Sequence, residues 1–240
     1  LLSAVYEGAQ VPFDTALKIE ARWFTNILMN PSSVAMMRSL FINKEALEKG
    51  AVRPKNIPDQ QVKKVGVLGA GMMGAGISYV SAMAGIEVIL LDMKKEDAEK
   101  GKTHAENLLN IGIKRKKITE EKKVAVLNLI KPTIEFTDLG ECDLIVEAVF
   151  EDPTIKAEVT KKAEAIIGKD SIFATNTSTL PITSLASASV RPEQFIGIHF
   201  FSPVDKMLLV EIIKGNATGE KAVAKALDYV QQIKKTPIGV

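Results

Sequence analysis

The glycine-rich segment at residues 63–77, KKVGVLGAGMMGAGI, constrains the fold more than any other stretch of this chain. It predicts an apolar strand, a tight turn and a helix start, with Gly69, Gly71 and Gly74 at the G-x-G-x-x-G spacing. The first glycine permits the turn, the second lets the backbone approach a pyrophosphate, and the third lets the helix pack closely on the strand. The N–H groups and dipole of the new helix then face the phosphates. We therefore predict a dinucleotide-binding turn; a purely structural glycine turn is the alternative.

An acidic residue at the end of the next apolar run bears on the choice of dinucleotide. The run GIEVILLD ends in Asp92, and an acid about twenty positions past such a turn holds the adenine ribose hydroxyls. A carboxylate there also repels the 2′-phosphate of NADP by close like-charge contact, which favours NAD. Lys94 and Lys95 follow and could soften that preference. A solvated aspartate that ends a strand is the alternative interpretation.

From residue 63 onward, apolar runs alternate with helical periodicity. Near-continuous apolar runs such as DLIVEAVF and FIGIHF are typical of strands that helices cover on both faces. We expect strands at 63–68, 86–91, 133–136, 143–148, 171–175, 195–200 and 208–213, and helices at 72–84, 95–117, 119–130, 155–167 and 219–234. This pattern predicts an α/β fold with a Rossmann-type, doubly wound, mainly parallel sheet. The charged helices over 95–130 should project as a hairpin, which is either simply exposed or a substrate-contacting arm.

Residues 1–62 predict a helical segment that precedes this domain. Apolar residues recur at three- and four-residue steps and form one stripe: Phe13, Leu17, Ala21, Phe24 and Leu28. Two shorter helices are expected at 34–41 and 44–49. We therefore divide the chain into a helical connector and linker, 1–62, and an NAD-binding Rossmann domain, 63–240. Because the chain lacks an initial methionine and stops within the predicted strand KTPIGV, we expect it to be a piece of a longer protein.

Composition excludes several classes of protein. The net charge of +2 argues against a nucleic-acid protein held by phosphate attraction, and no apolar run approaches the length of a membrane span. Cys142 is the only cysteine, which excludes an intrachain disulfide and a cysteine-rich zinc site. We predict no metal site and a reducing, aqueous compartment. The basic run at 114–117 is either a solvated helix face or a binding site for an anionic group of the substrate.

One histidine lies where a ligand would bind. His199 ends the run FIGIHF and Ser178 follows the run SIFAT, and in parallel sheets ligands bind beyond the carboxyl ends of strands. Glu211 lies in the apolar run LLVEIIKG and needs a partner, which His199 could supply. A carboxylate on one imidazole nitrogen fixes the tautomer and makes the other nitrogen more basic. Alternatively, His199 is a core residue satisfied by backbone and Glu211 is an edge-strand surface residue, whereas His104 is a surface residue in either case.

Five ordered segments resemble the 3-hydroxyacyl-CoA dehydrogenase family: GAGMMGAGI, the acidic Asp92, VEAVFED, NTSTLPI and HFFSPVDKMLLVEII. The leading segment ALKIEARWFTNILMNPSSVAMMRSLF resembles the connector of multifunctional alpha subunits of fatty-acid oxidation complexes, where an enoyl-CoA hydratase domain precedes it. The resemblance implies NAD-dependent oxidation of (S)-3-hydroxyacyl-CoA to 3-oxoacyl-CoA in fatty-acid β-oxidation. It also implies an acyl-CoA substrate, a fused hydratase domain and a thiolase subunit as partners. The expected location is the cytoplasm, or the mitochondrion or peroxisome in a eukaryote.

By this resemblance, His199 takes the proton of the substrate 3-hydroxyl while hydride passes to NAD. Glu211 orients and polarises His199, and Ser178 binds the substrate oxygen near the nicotinamide. The cofactor-binding residues that the resemblance implies are Gly69, Gly71, Met73, Gly74, Asp92, Ala148, Val149, Phe150, Glu151, Lys156, Ser178 and Ser202.

The chain departs from the family pattern in two places. Many members have asparagine where this chain has Ser202, from which we expect tuning rather than loss of activity. A further family asparagine, and the helical domain that closes the acyl-CoA cleft, would fall beyond Val240. We therefore expect this chain to bind NAD with little or no turnover.

Two other functions are compatible with parts of the sequence. A non-catalytic nucleotide-binding or scaffold module would keep the glycine turn, although such a module has no use for a polarised imidazole. A dehydrogenase of a sugar nucleotide or a free hydroxy acid would use the same scaffold. A comparison of acyl-CoA with free-acid substrates separates this last possibility from the first.

Overall fold

The computed structural model describes all residues from 1 to 240, in two compact units at 1–51 and 52–240. The first unit is helical: α1 Leu2–Gly8, α2 Phe13–Leu28, α3 Pro31–Met37, a π-helical segment Arg38–Asn43 and α4 Lys44–Glu48. Within it, Arg22 forms an ion pair with Glu7, and Nε1 of Trp23 donates a hydrogen bond to the same carboxylate at 3.2 Å. Helix α1 was not predicted. No residue of these four helices is buried within the unit.

The start of α3 shows why the predicted boundary at residue 34 was late. Asn30 caps the helix by accepting a hydrogen bond from the N–H of Ser32 at 2.9 Å. Pro31 occupies the first helical position, where its missing N–H costs nothing because that group has no partner inside a helix. The break in the apolar stripe is therefore also the beginning of the next helix.

The second unit is built on an eight-stranded sheet. Its strands are β1 Lys64–Leu68, β2 Glu87–Leu91, β3 Ile130–Thr133, β4 Leu144–Glu147, β5 Ile172–Thr175, β6 Phe195–Phe200, β7 Leu209–Ile213 and β8 Thr236–Gly239. They lie in the order β3-β2-β1-β4-β5-β6-β7-β8, and neighbouring strands are parallel except for β6 and β7. The predicted Rossmann-type, mainly parallel sheet is confirmed. Its chain order reverses between β1 and β4, where such sheets open a ligand crevice.

Helices connect these strands. They are α5 Met72–Met83, α6 Lys95–Lys114, α7 Glu120–Asn128, α8 Pro153–Glu164, α9 Ile182–Leu185 and α10 Glu220–Gln232. Local capping explains two of their starts: Thr119 accepts from the N–H of Lys122, and Asp152 accepts from the N–H groups of Thr154 and Ile155. Side-chain caps of this kind satisfy donors that a helix start leaves open. No helix has the length and apolar character that a membrane crossing needs.

The core lies in two layers, one on each face of the sheet. Along β2, Val88 and Leu90 pack in one hydrophobic cluster, whereas Ile89 and Leu91 pack in the other. Side chains alternate between the two faces of a strand, so both faces need apolar residues where both are covered. This arrangement accounts for the near-continuous apolar runs in the sequence.

The third strand and the helical pair differ from the predictions. Strand β3 covers 130–133 rather than 133–136, because Ile130 pairs with Val88 and is buried, whereas Ile134 is exposed and a 3₁₀ turn begins at Phe136. Helix α6 contacts α7, as expected of a hairpin. However, α6 does not simply project from the sheet, because it buries a whole face that includes Ala98, Gly101, Ala105 and Leu109.

The segment 52–62 is fixed to α10 by one buried carboxylate. Two of the three guanidinium nitrogens of Arg53, Nε and Nη2, donate to Asp228, at 2.6 and 2.8 Å. Further donors on Arg53 reach the carbonyl oxygens of Ile57 and Pro58, and the N–H of Gln60 also bonds Asp228 at 2.8 Å. By contacts this segment is therefore part of the second unit. Whether 62/63 is the functional domain boundary stays a prediction.

We expect Asp228→Asn to lower the free energy of unfolding by about 2–3 kcal/mol, because charge-assisted hydrogen bonds that are shielded from water are worth about 1.5–3 kcal/mol. Urea unfolding followed by circular dichroism measures this difference. The matched control is Asp170→Asn: Asp170 pairs with Lys221 at 2.8 Å, but its side chain is 73% exposed, so a loss of less than about 1 kcal/mol is expected. Equal effects of the two substitutions would show that the Arg53 contact does not stabilise the unit.

Candidate active site at the carboxyl ends of the strands

The three glycines of the turn between β1 and α5 occupy different surroundings. Gly69 has φ +93°, and a Cβ there would lie 2.6 Å from the carbonyl oxygen of Ala148. A Cβ on Gly74 would overlap the carbonyl oxygen of Gly69, so the helix lies directly on the turn. A Cβ on Gly71 would meet no atom within 4 Å. Protein atoms therefore crowd the turn at its first and third glycines, whereas the space beside the second glycine is empty. This empty space lies in front of the first amides of α5, where a pyrophosphate would bind.

Asp92 ties this turn to the end of β2. Its Oδ2 accepts a hydrogen bond from the N–H of Ala70 at 2.6 Å, and its Oδ1 accepts from the N–H of Met93 at 2.7 Å. Each carboxylate oxygen can accept a second hydrogen bond. The half-buried side chain is therefore held beside the glycine turn with acceptor capacity left over. Its contact with the adenine ribose stays a prediction.

A pocket of about 320 Å³ opens next to this turn, beyond the carboxyl ends of β1, β4, β5 and β6. Its lining consists of Met73, Ala148, Val149, Glu151, Asn176, Ser178, His199, Phe200, Phe201 and Ser202. Among the predicted site residues, Phe150 does not line it and is 77% exposed. A larger pocket of about 590 Å³ lies at the opposite end of the strands, where Lys64 is engaged by Glu141 and Lys131 by Asp138. Position and chemistry therefore favour the smaller pocket as the site.

The predicted contact between His199 and Glu211 is present. The two residues are directly opposite in the antiparallel pair β6–β7, and Nδ1 of the imidazole lies 2.7 Å from Oε2 of the carboxylate. Their side chains are 17% and 27% exposed. Because β7 pairs with both β6 and β8, Glu211 is not an edge-strand residue. A neutral imidazole that donates from Nδ1 to a carboxylate leaves Nε2 as a proton acceptor.

The segment after β5 contributes Asn176 and Ser178 to the site. Asn176 accepts a hydrogen bond from the N–H of Phe200 at 2.8 Å through its Oδ1 and so joins the ends of β5 and β6. Ser178 is exposed in the pocket, and its N–H donates to Oε1 of Glu151 at 3.0 Å. Ser178 therefore lines the same pocket as His199.

A buried ion cluster lies behind the pocket wall. The ammonium of Lys156 is 2.7 and 3.0 Å from the two oxygens of Glu147 and 3.2 Å from Oε2 of Glu151. Glu147 also accepts from the N–H of Val149 and the hydroxyl of Thr175. The side chains of Lys156 and Glu147 are only 2% and 1% exposed. Lys156 therefore contacts carboxylates and is absent from the pocket lining, so its predicted cofactor contact stays a prediction.

Glu147 has a structural part in this site that the sequence analysis missed. A feature of the sequence could have identified this residue. Glu147 interrupts the apolar run DLIVEAVF in the same way that Glu211 interrupts LLVEIIKG. A buried carboxylate needs a charged or hydrogen-bonded partner in either place. Only Glu211 was predicted to need a partner on this ground.

The chain was compared with protein families, curated relatives and solved structures. The family model described as "3-hydroxyacyl-CoA dehydrogenase, NAD binding domain" matches residues 64–240. A fatty acid oxidation complex subunit alpha from Pseudomonas syringae pv. syringae is 39% identical over 239 residues, which is 100% of this chain and 33% of the relative. The chain thus spans about a third of the length of such curated relatives.

Two solved structures are similar in fold and sequence. The (S)-3-hydroxybutyryl-CoA dehydrogenase of Ralstonia eutropha has a TM-score of 0.71 and 37% identity, over 75% of this chain and 64% of that one. The dehydrogenase part of multifunctional enzyme 1 from C. elegans has a TM-score of 0.70 and 30% identity, over 83% of this chain and 48% of that one.

Proposed function

This chain belongs to the 3-hydroxyacyl-CoA dehydrogenase family, and from that membership we propose that it carries the cofactor site and the catalytic base of an NAD-dependent (S)-3-hydroxyacyl-CoA dehydrogenase. The observation that carries the proposal is the 2.7 Å contact between Nδ1 of His199 and Glu211 at the mouth of the sheet. A scaffold module would not need such a pair. His199 lines the same pocket as Met73, which lies in the first turn of α5 directly after the glycine turn that fits a dinucleotide.

In the proposed reaction, Nε2 of His199 accepts the proton of the substrate 3-hydroxyl as C3 loses a hydride. Bound NAD supplies the hydride acceptor. Glu211 keeps the imidazole in the tautomer that accepts at Nε2 and stabilises the imidazolium that forms. The hydroxyl of Ser178 donates a hydrogen bond to the substrate oxygen and thereby orients the substrate. A positioned base of this kind supplies roughly 10²–10⁴-fold of rate.

The cofactor would be held by the turn and by the pocket wall. The pyrophosphate would meet the open face of Gly71 and the first amides of α5, and the adenine ribose would meet Asp92. The residues proposed to line the nicotinamide end are Met73, Ala148, Val149, Glu151, Ser178 and Ser202. Phe150 and Lys156 lie outside the lining of the pocket, and their cofactor contacts stay predictions. A carboxylate at Asp92 favours NAD over NADP because it repels a 2′-phosphate.

Partners and location belong to the same proposal. The curated relatives are alpha subunits about three times as long as this chain, which supports a fused enoyl-CoA hydratase domain and a thiolase subunit as partners. An acyl-CoA thioester is the proposed substrate, and the cytoplasm is the proposed location. The step would serve fatty-acid β-oxidation.

The test is the reverse reaction of the complete gene product, followed as loss of NADH absorbance on addition of acetoacetyl-CoA. We expect rapid oxidation of NADH, and much slower oxidation with NADPH or with free acetoacetate. Comparable rates with free acetoacetate would replace this proposal by a dehydrogenase of free hydroxy acids. Absence of NADH binding would leave only the scaffold function. The 240-residue chain alone should bind NADH with little turnover, and vigorous turnover by it would contradict that expectation.

A further inference from the structure

We propose that the carboxylate of Glu151 shifts the relative affinity of this site towards the oxidised nicotinamide cofactor and away from the reduced one. The inference rests on the proposed function, because it requires a nicotinamide cofactor in the pocket. It goes further by assigning Glu151 a specific effect on cofactor selection rather than a contact alone.

The charges that line the pocket are of one sign. Glu151 is the only lining residue with a carboxylate or an ammonium group; the other residues of the lining are apolar, amide, hydroxyl or imidazole. Behind His199 lies Glu211, which is a second carboxylate. No lysine or arginine lines this pocket to balance them. The charged side chain that a ligand meets in the lining of this pocket is therefore negative.

Several hydrogen-bond donors fix the position of the Glu151 side chain and stabilise its carboxylate form. Its Oε1 accepts from the hydroxyl of Thr177 at 2.5 Å and from the N–H of Ser178 at 3.0 Å, and its Oε2 lies 3.2 Å from the ammonium of Lys156. Partial burial by itself would raise the pKa of Glu151, but the hydrogen bonds from Thr177 and Ser178 and the charge of Lys156 outweigh it and lower the pKa below its usual value. The group is therefore charged at neutral pH.

Lys156 does not cancel this charge, because it is shared. Its ammonium makes its shortest contacts with Glu147, at 2.7 and 3.0 Å, and Glu147 is fully buried. Two carboxylates and one ammonium leave one net negative charge in the cluster. Glu147 lies behind the pocket wall, whereas Glu151 is part of the wall and its side chain is 35% exposed. The uncompensated negative charge therefore faces the pocket at Glu151.

The two states of the cofactor differ in the charge that this carboxylate meets. The nicotinamide ring carries a positive charge in NAD⁺ and none in NADH, whereas the remaining parts of the two molecules are alike. A pocket of about 320 Å³ is roughly 8 Å across, so an occupant lies within the range where Coulomb attraction is appreciable even at a high effective dielectric constant. Attraction to Glu151 therefore strengthens binding of NAD⁺ alone. This bias favours loading of NAD⁺ and release of NADH.

The test measures the dissociation constants of NAD⁺ and NADH by calorimetry on the complete gene product and on its Glu151→Gln variant. We expect Glu151→Gln to raise the ratio Kd(NAD⁺)/Kd(NADH) about three- to tenfold, chiefly because NAD⁺ binds more weakly. Glu151→Asp retains the charge and should keep the ratio near that of the unsubstituted protein, even if both affinities fall. In the unsubstituted protein, added salt should also raise the ratio, because it screens the attraction.

The matched control is Glu158→Gln, which removes the same charge from an exposed position on α8 outside the pocket and should leave the ratio unchanged. A purely structural role of Glu151 would lower both affinities in Glu151→Gln by the same factor, and that result would overturn the proposal. An unchanged ratio would overturn it too. If the unsubstituted protein binds neither cofactor, the proposed function fails instead. If Glu151→Gln does not fold, the salt dependence decides: an unchanged ratio across salt concentrations would contradict the inference.

Discussion

Replacing His199 by glutamine is expected to lower kcat of the complete gene product by about 10²–10⁴-fold, the range that a positioned general base contributes. Glutamine fills similar space and can still hydrogen-bond Glu211, but its amide does not accept a proton at neutral pH. Because the proposed base would act on the substrate hydroxyl rather than on the cofactor, the Kd for NADH should change by less than about threefold. Stopped-flow or steady-state oxidation of NADH with acetoacetyl-CoA measures kcat, and fluorescence titration measures the Kd.

The other histidine provides the control for this substitution. His104 lies in α6, outside the pocket lining, so His104→Gln should leave both kcat and the Kd unchanged. Glu211→Gln should lower kcat as well, because the imidazole loses the carboxylate that fixes its tautomer and stabilises its charged form. Retention of more than a tenth of kcat in His199→Gln would remove His199 as the base.

Replacing Gly74 by alanine is expected to abolish cofactor binding and to destabilise the domain. A Cβ on Gly74 would overlap the carbonyl oxygen of Gly69, so α5 must move away from the turn. Overpacking of this kind costs about 1–3 kcal/mol or more. The same shift separates the first amides of α5 from the phosphates, and each charge-assisted hydrogen bond lost costs about 1.5–3 kcal/mol. We therefore expect NADH affinity to fall by roughly a hundredfold or more.

Gly71→Ala separates the two effects. A Cβ at Gly71 would meet no protein atom within 4 Å, and its φ of −64° suits alanine. The stability of the domain should therefore change by less than about 0.5 kcal/mol, whereas NADH affinity should fall because the methyl group occupies the space in front of the amides. Urea unfolding and fluorescence titration of both variants check this contrast. Unimpaired NADH binding by Gly71→Ala would mean that the phosphates do not lie against this glycine.

The misplaced strand β3 shows which elements the local pattern does not fix. The glycine turn and the start of α5 depend on residues that are adjacent in the chain, and both were predicted correctly. The position of β3 depends on pairing with β2, where Val88 lies opposite Ile130. Local apolar pattern does not contain that register, so the predicted strand was displaced by three residues at its start.

In the candidate site, too, the sequence signals a need for partners but does not identify them. Glu147 and Glu211 give the same signal, a carboxylate within an apolar strand, and that signal states only that each needs a partner. The partner of Glu211 is the residue opposite it in the β6–β7 pair, whereas the partner of Glu147 is Lys156, nine positions along the chain. Which cation or imidazole meets which carboxylate depends on how the strands and α8 pack.

The amino-acid sequence by itself determined the dinucleotide turn, the α/β class and the acid that ends β2, because these follow from backbone conformations and side-chain periodicities that neighbouring residues encode. Only the tertiary structure decided that His199 faces Glu211, that Lys156 is buried between two carboxylates, and that Glu151 presents its charge to the pocket. The physical reason is that hydrogen bonds and ion pairs between separate elements depend on strand register and helix packing, which form only when the whole sheet assembles.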